Sequence, residues 1–463
     1  MVILAVTMLA AGCSSYQPWT NLPARADAAA QPGVPTPRNR EPSPQQSIIA
    51  ALTLSGGGAR AAAFGLGVLH ELKATRFEWD GRPTTLLDQV SLISGVSGGS
   101  ILAAHYAAFG DSTLDRFEAE FLHDDVESGL IGRALAPATL HRLTSPWFGR
   151  SHVLAERLDA LYQGRSFGDL AKRSRGPELL VTATDLTTGA PFEFTPEQFE
   201  LICSDWASVP LSFAVASSSA VPLLLTPMTL RNHADGCAAL PVIAEAPPGE
   251  DSFRTRMLQA AAQSYLDVRE RPFLHLVDGG LSDNLGMRAL LDRLLAGGSI
   301  QASFRDAPPG SIRRLILIAV NSERDVAEKI DQSGRVPSTG QVIDTLVFGA
   351  GTRESQTTLA MLNDDVRRWS RELEALRGSQ GSPFAPDAEI HVVSVSLRDV
   401  ADPLRRRALL QVPTAFTIDP ADVSRLKEAG REALRGSPAF LRLRRSLGAS
   451  HHASVNHSPG SME

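Results

Sequence analysis

The chain has 463 residues, of which 43% are hydrophobic and 21% charged, with a formal net charge of −6. This length suits one large domain, or a core with a C-terminal extension. The negative charge leaves no electrostatic footprint for nucleic acid, and the three cysteines lack a zinc-like spacing with histidine. We therefore expect no nucleic-acid partner and no metal, and no motif requires a cofactor. Nothing in the sequence indicates an oligomeric state.

The first residues form an apolar stretch, Val2–Gly12, that is followed by Cys13. A stretch of this length is too short to span a bilayer, and its end is typical of a bacterial lipoprotein signal. Two features depart from that pattern: no Lys or Arg precedes the apolar run, and Leu9 lies one position further from the cysteine than usual. A misassigned start codon would explain the missing basic residues. We expect a signal peptide at 1–12 and lipidation of Cys13 in the bacterial cell envelope, with an ordinary secretory signal or a short apolar N-terminus as the alternatives.

The next segment has no apolar periodicity. Residues 14–47 contain seven prolines together with many Ala, Gln and Asn residues. Such a composition cannot bury enough apolar surface to fold by itself. The sequence predicts a disordered tether over 13–47.

A buried strand is predicted over Ile48–Leu54, an apolar run with β-branched residues. It breaks at Gly56-Gly57-Gly58-Ala59-Arg60, and a helix is predicted from Ala61 to about Lys73. Three glycines at a strand-to-helix junction expose backbone N–H groups at the positive end of a helix dipole. This loop can hold a phosphate, or it can stabilise the oxyanion of an acyl transfer.

The phosphate alternative is the weaker one. Gly56, Gly58 and Ala61 fit a dinucleotide-binding fingerprint, and Glu78 or Asp80 follows at the expected distance. No apolar second strand carries either acidic residue, however, and no Gly-Lys-Ser/Thr follows the loop. Nucleotide binding is therefore the third hypothesis for this chain.

Ser97 lies in a second strand-to-helix junction. It stands in Gly95-Val96-Ser97-Gly98-Gly99, after the apolar run at 90–93 and before a predicted helix over 101–109. Small flanking residues allow a sharp turn that exposes the hydroxyl at the start of a helix. A serine placed so becomes a nucleophile when a base is near; an ordinary glycine- and serine-rich loop is the alternative.

A candidate base ends a third apolar strand. The run Phe273–Val277 leads into Asp278-Gly279-Gly280, which would place a carboxylate at the same C-terminal sheet edge as Ser97. An Asp-Gly turn is the alternative role of Asp278. His275 points to the opposite strand face from Asp278 and is expected to pack or cap. A triad with His233, His275 or a later histidine is the competing arrangement.

The remaining segments alternate between predicted strands and helices, which favours a three-layer α/β/α fold with a mostly parallel central sheet. Residues 130–148 read as a lid or as a surface excursion packed on the core, and 421–447 as a basic amphipathic helix, docked on the domain or lying on an anionic membrane. Other predicted helices cover 114–122, 151–162, 253–268, 287–295, 341–348 and 357–377; strands cover 179–185, 191–194, 314–320 and 389–395; 232–252 is read as an irregular insertion. We expect a catalytic core at 48–295, a C-terminal α/β extension of the same domain at 296–448, and a disordered tail at 449–463.

Taken together, the three glycine-containing blocks resemble the patatin-like phospholipase family. The matching residues are Gly56-Gly57-Gly58-Ala59-Arg60, Gly95-Val96-Ser97-Gly98-Gly99 and Asp278-Gly279-Gly280, in family order, with support from Ala183–Gly189 and Ala214–Pro222. The resemblance covers about 48–295. One departure is Ala61, where the family often has glycine.

The resemblance implies a catalytic dyad instead of a triad. Ser97 would be the nucleophile and Asp278 the base, and an acyl-enzyme intermediate would be hydrolysed by water. The backbone N–H groups of Gly56, Gly57 and Gly58 would line the oxyanion hole. Arg60 would orient that loop or meet an anionic head group, with a helix-surface arginine as the alternative.

The leading functional hypothesis is a lipid acyl hydrolase of the cell envelope that acts on phospholipid or another acyl ester. Its alternative is a catalytically silent binding or assembly protein on the same fold. Cleavage before Cys13 would leave Cys203 and Cys237 as an even pair in an oxidising compartment, so we expect a disulfide between them, with two buried thiols as the alternative. The head group, the acyl position and the choice between water and a lipid acceptor are not encoded in any motif.

Overall fold

The computed structural model describes residues 14–24, 47–237, 253–288, 290–292, 299–304, 306–324 and 333–455. Its strands are β1 (Ile48–Leu54), β2 (Arg76–Trp79), β3 (Arg82–Thr85), β4 (Val90–Gly95), β5 (Glu178–Asp185), β6 (Pro191–Glu193), β7 (Met228–Arg231), β8 (Phe273–Val277), β9 (Ile312–Asn321) and β10 (Phe384–Ser396).

The α-helices in the same ranges are α1 (Gly58–Ala74), α2 (Gly98–Phe109), α3 (Ser112–Phe117), α4 (Val126–Leu135), α5 (Pro137–Leu143), α6 (Arg150–Tyr162), α7 (Phe167–Ala171), α8 (Pro196–Leu201), α9 (Leu211–Ser218), α10 (Phe253–Leu266), α11 (Ile300–Ser303), α12 (Thr339–Leu376), α13 (Pro403–Leu410), α14 (Pro420–Gly436) and α15 (Pro438–Val455).

One sheet organises the molecule, with strands in the order β10-β9-β1-β4-β5-β8-β7 and with β6 beside β5. The five strands from β10 to β5 are parallel. Strands β6 and β8 pair antiparallel with β5, and β7 pairs antiparallel with β8. Leu54 pairs with both Gly95 and Val320, so β1, β4 and β9 end at one edge. The predicted mostly parallel α/β sheet is confirmed, and β9 and β10 after residue 295 complete it.

The two faces of the sheet carry separate apolar cores, as β9 shows. Ile316 and Ile318 belong to the larger core, which includes side chains of α1 and α2. Ala319, on the opposite face, belongs to a second core with Trp369 and Leu373 of α12. Alternate residues of a strand point to opposite faces, so a strand buried on both sides reads as a continuous apolar run. This arrangement gives the predicted three layers.

The basic amphipathic run at the C-terminus is docked on the domain and consists of two helices. Val423, Leu426 and Leu434 of α14 are fully buried. A Cβ atom added to Gly430 would lie 2.3 Å from the carbonyl oxygen of Phe64 in α1. The two helices therefore touch backbone to backbone, which only glycine allows at this position.

We expect Gly430→Ala to destabilise the fold, because its methyl group would push α14 away from α1. Overpacking of this kind costs about 1–3 kcal/mol, measurable by urea unfolding. Gly436→Ala in the same helix is the matched control, since a Cβ there meets no atom within 4 Å. Equal midpoints for the two variants would contradict the close helix contact.

The segment predicted as a tether differs from expectation over residues 14–24. These residues lie against the domain: the side-chain amide of Asn21 donates to the Ser204 hydroxyl and exchanges hydrogen bonds with the backbone of Arg231. Cys13 and residues 25–46 lie outside the described residues, as do 238–252 of the predicted insertion. At the other end, α15 continues through 449–455, where a disordered tail was expected. No helix in the described ranges is long and apolar enough to cross a membrane.

Candidate active site

Ser97 stands at a strained turn between β4 and α2. Its φ of 49° and ψ of −125° are unusual for a residue with a side chain. The turn is packed against the glycine loop: a Cβ on Gly98 would lie 2.0 Å from the carbonyl oxygen of Gly58. A Cβ on Gly95 would lie 2.5 Å from Ser100 Cα, and one on Gly99 would lie 2.4 Å from the carbonyl oxygen of Leu54. The glycines around Ser97 thus allow two strand-to-helix turns to touch.

Ser97 and Asp278 are in direct contact. The Ser97 hydroxyl donates to Oδ2 of Asp278 at 2.8 Å, and each residue is 6% exposed. The other carboxylate oxygen accepts the N–H of Gly280 at 2.8 Å. The backbone of Asp278 is held by the carbonyl of Ala220 and the hydroxyl of Thr184. Hydrogen bonds to the side chain and to the backbone of Asp278 therefore fix its carboxylate in position toward Ser97.

Burial raises the pKa of Asp278 to about 6, although the Gly280 amide and the Ser97 hydroxyl both lower it. A carboxylate with such a pKa is ionised at pH 7 and is a stronger base than an exposed aspartate. The group can thus accept a proton from the serine hydroxyl as the oxygen attacks.

The route by which Asp278 reaches Ser97 differs from the sequence argument. The strand β8 runs antiparallel to β5, with Leu276 beside Asp185. β5 extends past the end of β4, since Val181 pairs with Gly95. β8 therefore enters from beyond the sheet edge and ends level with Ser97. Gly279 permits this approach, because a Cβ there would lie 2.1 Å from the oxygen of Thr182.

The glycine loop supplies two N–H groups beside Ser97. Gly57 and Gly58 have φ of 141° and 61°, and their amides have no hydrogen-bond partner among the residues that the structure describes. The prediction for Gly56 is corrected: its N–H donates to the carbonyl of Asn284 at 3.0 Å. Gly56 serves close packing instead, since a Cβ added there would lie 2.6 Å from Oδ1 of Asn284.

Arg60 supports this loop from inside the protein. It is 2% exposed, and its guanidinium donates to the carbonyls of Ser322 and Val412 at 2.9 and 2.7 Å. A buried arginine bonded to two backbone carbonyls does not fit the surface or head-group alternatives, and its loop-orienting role stays a prediction.

Neither histidine considered as a triad member contacts the pair. His275 is exposed and bonds Thr229, while His233 bonds the carbonyl of Asn21.

The structure joins Cys203 and Cys237 in a disulfide, with Cα atoms 5.8 Å apart. In the described part of the chain, no three His, Cys, Asp or Glu residues form a metal-binding group.

Sequence reasoning missed the residues that hold the two loops together. The backbone N–H of Asn284 donates to the carboxylate of Glu354 in α12 at 3.2 Å. Its backbone carbonyl accepts the N–H of Gly56. Next to it, Asp283 is fully buried, and burial together with nearby Glu354 raises its pKa to about 7. Ser218 of α9 accepts the amide N–H of Ser97 at 2.8 Å. The Asp283-Asn284 pair follows Asp278 closely enough to be suspected, but nothing local points to Glu354.

Fold and site together define an α/β protein with a serine–aspartate pair and a glycine loop at one sheet edge. Residues 52–291 match the patatin-like phospholipase family model, which is more than half of the chain. The chain belongs to the patatin-like phospholipase family.

Solved structures that this chain matches include human GIVD cytosolic phospholipase A2, at 12% identity and a TM-score of 0.42, with 87% of this chain and 60% of that chain covered. VipD from Legionella pneumophila matches at 12% identity and a TM-score of 0.29, with 95% and 73% covered. The present chain thus spans about three fifths of the human enzyme's length. A search of curated proteins found no match.

The pH dependence of ester hydrolysis follows from the Asp278 pKa. We expect kcat/KM for a soluble ester to fall about tenfold per pH unit below pH 6, because the protonated carboxyl cannot accept the serine proton. Circular dichroism over the same range is the control for unfolding. A rate that stays constant down to pH 4.5 would contradict Asp278 as the base.

Proposed function

We propose that this protein is a serine acyl hydrolase of lipid esters, of the phospholipase A, lysophospholipase or esterase type. Family membership gives the reaction class. The observation that carries the proposal is the 2.8 Å hydrogen bond from Ser97 to Asp278, beside the amides of Gly57 and Gly58, which have no partner within the described part of the chain.

The proposed mechanism has two halves. Ser97 Oγ attacks the ester carbonyl carbon while its proton passes to Asp278. The carbonyl oxygen becomes an oxyanion, which accepts hydrogen bonds from the backbone N–H groups of Gly57 and Gly58. The C–O bond to the alcohol then breaks, and Asp278 returns its proton to the leaving oxygen. Water repeats the attack on the acyl-serine with Asp278 again as the base, releasing a fatty acid and restoring Ser97.

We further propose that the enzyme works at the bacterial cell envelope, anchored by lipid on Cys13. A tethered enzyme meets a membrane substrate at a high effective concentration. Mass spectrometry of the N-terminal peptide from the membrane fraction tests this part, with a diacylated or triacylated Cys13 expected. An intact 1–12 segment without modification would contradict it.

Covalent labelling tests the nucleophile directly. A fluorophosphonate should attach to Ser97, because the probe requires an activated serine and an oxyanion site, and peptide mass spectrometry locates the adduct. In parallel, phospholipid vesicles incubated with the protein should release free fatty acid. Absence of both results would favour the silent binding or assembly protein.

A further inference from the structure

Six large apolar side chains stand exposed along two neighbouring segments of the chain. They are between 46% and 63% exposed, which is unusual for such a cluster on a soluble surface. We call them the apolar rim: Ile131, Leu135, Leu140, Trp147, Leu223 and Leu224.

One end of the rim adjoins the glycine loop. At the start of α4, Glu127 accepts the amide N–H of Phe416 at 2.9 Å and donates its own to Thr417 at 3.1 Å. The preceding Ala415 lies against the loop, since its carbonyl accepts the amide of Ala59 at 2.7 Å. Helix α4 therefore starts beside the proposed oxyanion site.

The other end adjoins the proposed base. Leu223 follows three residues after Ala220, whose carbonyl accepts the amide of Asp278 at 3.0 Å. Leu223 has a φ of 70°, a rare conformation for leucine, and its carbonyl accepts the guanidinium of Arg150 at 2.7 Å. The rim thus runs from one side of the Ser97–Asp278 pair to the other.

Helices α4 and α5, which carry Ile131, Leu135 and Leu140 of the rim, contribute little to the core. Across α4 and α5 only Val126 is buried. Their exposed apolar side chains are not explained by folding, because they lie on the outside of the helix pair. Two exposed cationic side chains, Arg133 and Arg150, flank them, together with the exposed carboxylate of Glu127.

The docked segment Ser14–Ala24 begins at this same surface. The amide of Ser14 donates to Thr144 Oγ1 at 3.0 Å, three residues before Trp147. Further along, Trp19 packs on Phe213 with ring centroids 4.7 Å apart, and Asn21 is 3% exposed. We call residues 14–24 the strap.

We propose that the apolar rim is the surface that enters a phospholipid bilayer, and that the strap keeps the anchored N-terminus beside it. This inference rests on the proposed lipidation of Cys13, the residue that directly precedes Ser14 in the sequence. An anchor there would hold the rim and the catalytic pair against the membrane. Apolar side chains with flanking cations suit an anionic bilayer better than a protein partner.

Depth-dependent quenching tests the orientation. The full lipidated chain carrying Ser97→Ala is labelled with an environment-sensitive fluorophore at Leu224→Cys, then placed in vesicles of phosphatidylethanolamine and phosphatidylglycerol with brominated acyl chains. The control is Leu441→Cys on α15, 43% exposed, near Ser446, which bonds Arg314 at the opposite end of β9. We expect several-fold stronger quenching at 224 than at 441. Equal quenching, or none at 224, overturns the proposal.

The strap is tested by releasing it. Trp19→Ala with Asn21→Ala removes the aromatic contact and the hydrogen bonds of Asn21, and we expect the 224-to-441 quenching ratio to fall toward one while the chain stays on the vesicles. Thr20→Ala, at an exposed strap position, should leave the ratio unchanged. A ratio that both variants preserve overturns the role of the strap.

Failure here is distinguishable from failure of the proposed function. Quenching reports position whether or not the protein is an enzyme, whereas turnover of a soluble ester by the Ser97 enzyme reports chemistry without a membrane. If the label at 224 is not quenched but the Ser97 enzyme hydrolyses the soluble ester, the membrane inference is rejected and the proposed activity stands.

Discussion

Ser97→Ala is expected to reduce ester hydrolysis by at least about 10³-fold, because it removes the hydroxyl proposed to form the acyl-enzyme. The substitution keeps a Cβ and leaves the bonds of Asp278 to Gly280 and Ala220 in place. Only the hydroxyl that donates at 2.8 Å is removed. The loss should therefore appear in kcat with little change in the fold.

The measurement is initial velocity on a short-chain nitrophenyl ester, together with thermal unfolding. Ser91→Ala is the matched control: this serine lies on β4, the strand that precedes Ser97, and its hydroxyl donates to the carbonyl of Ala50 at 3.1 Å. We expect near-normal rates from the control. Comparable turnover by Ser97→Ala and the unaltered chain would remove the serine from the mechanism.

The parts of this site that the sequence predicts are those encoded locally. Each of three apolar strands runs into a glycine-rich turn within a few residues, so Ser97, Gly57, Gly58 and Asp278 could be found without a structure. The direction of β8 could not, because its pairing with β5 depends on residues some 90 positions apart. The carboxylate still reaches the serine, by a different path from the one that a purely parallel sheet suggests.

Long-range contacts also account for the other differences. Composition alone predicts disorder for 14–24, but Asn21 finds partners at Ser204 and Arg231. Two helices predicted over 341–348 and 357–377 are one helix, α12. A glycine inside a helix costs only about 1 kcal/mol, which the packing of Leu362 and Trp369 offsets. Local sequence propensity does not include the hydrogen bonds of Asn21 or the packing of Leu362 and Trp369, because both depend on residues distant in the sequence.

Asp278→Asn is expected to lower kcat by about 10³-fold, because an amide cannot accept the serine proton. The same substitution should have a favourable effect on the free energy of unfolding at high pH, in contrast to its unfavourable effect on kcat. The folded-state pKa of about 6 lies above the ordinary 3.8, so the ionised carboxylate costs folding free energy. That cost grows as the pH rises from about 4 to 6 and is constant above, amounting to about 3 kcal/mol.

The asparagine variant does not titrate and therefore lacks this pH-dependent cost. Relative to the unaltered chain, its unfolding midpoint should rise between pH 4 and pH 8, whatever constant penalty the altered bonds to Gly280 and Ser97 impose. Urea unfolding at the two pH values measures the difference, and Ser97→Ala, which keeps the carboxylate, should not show the rise. A stability difference independent of pH would mean that Asp278 is already charged at no cost, and a buried base would then be the wrong description of this residue.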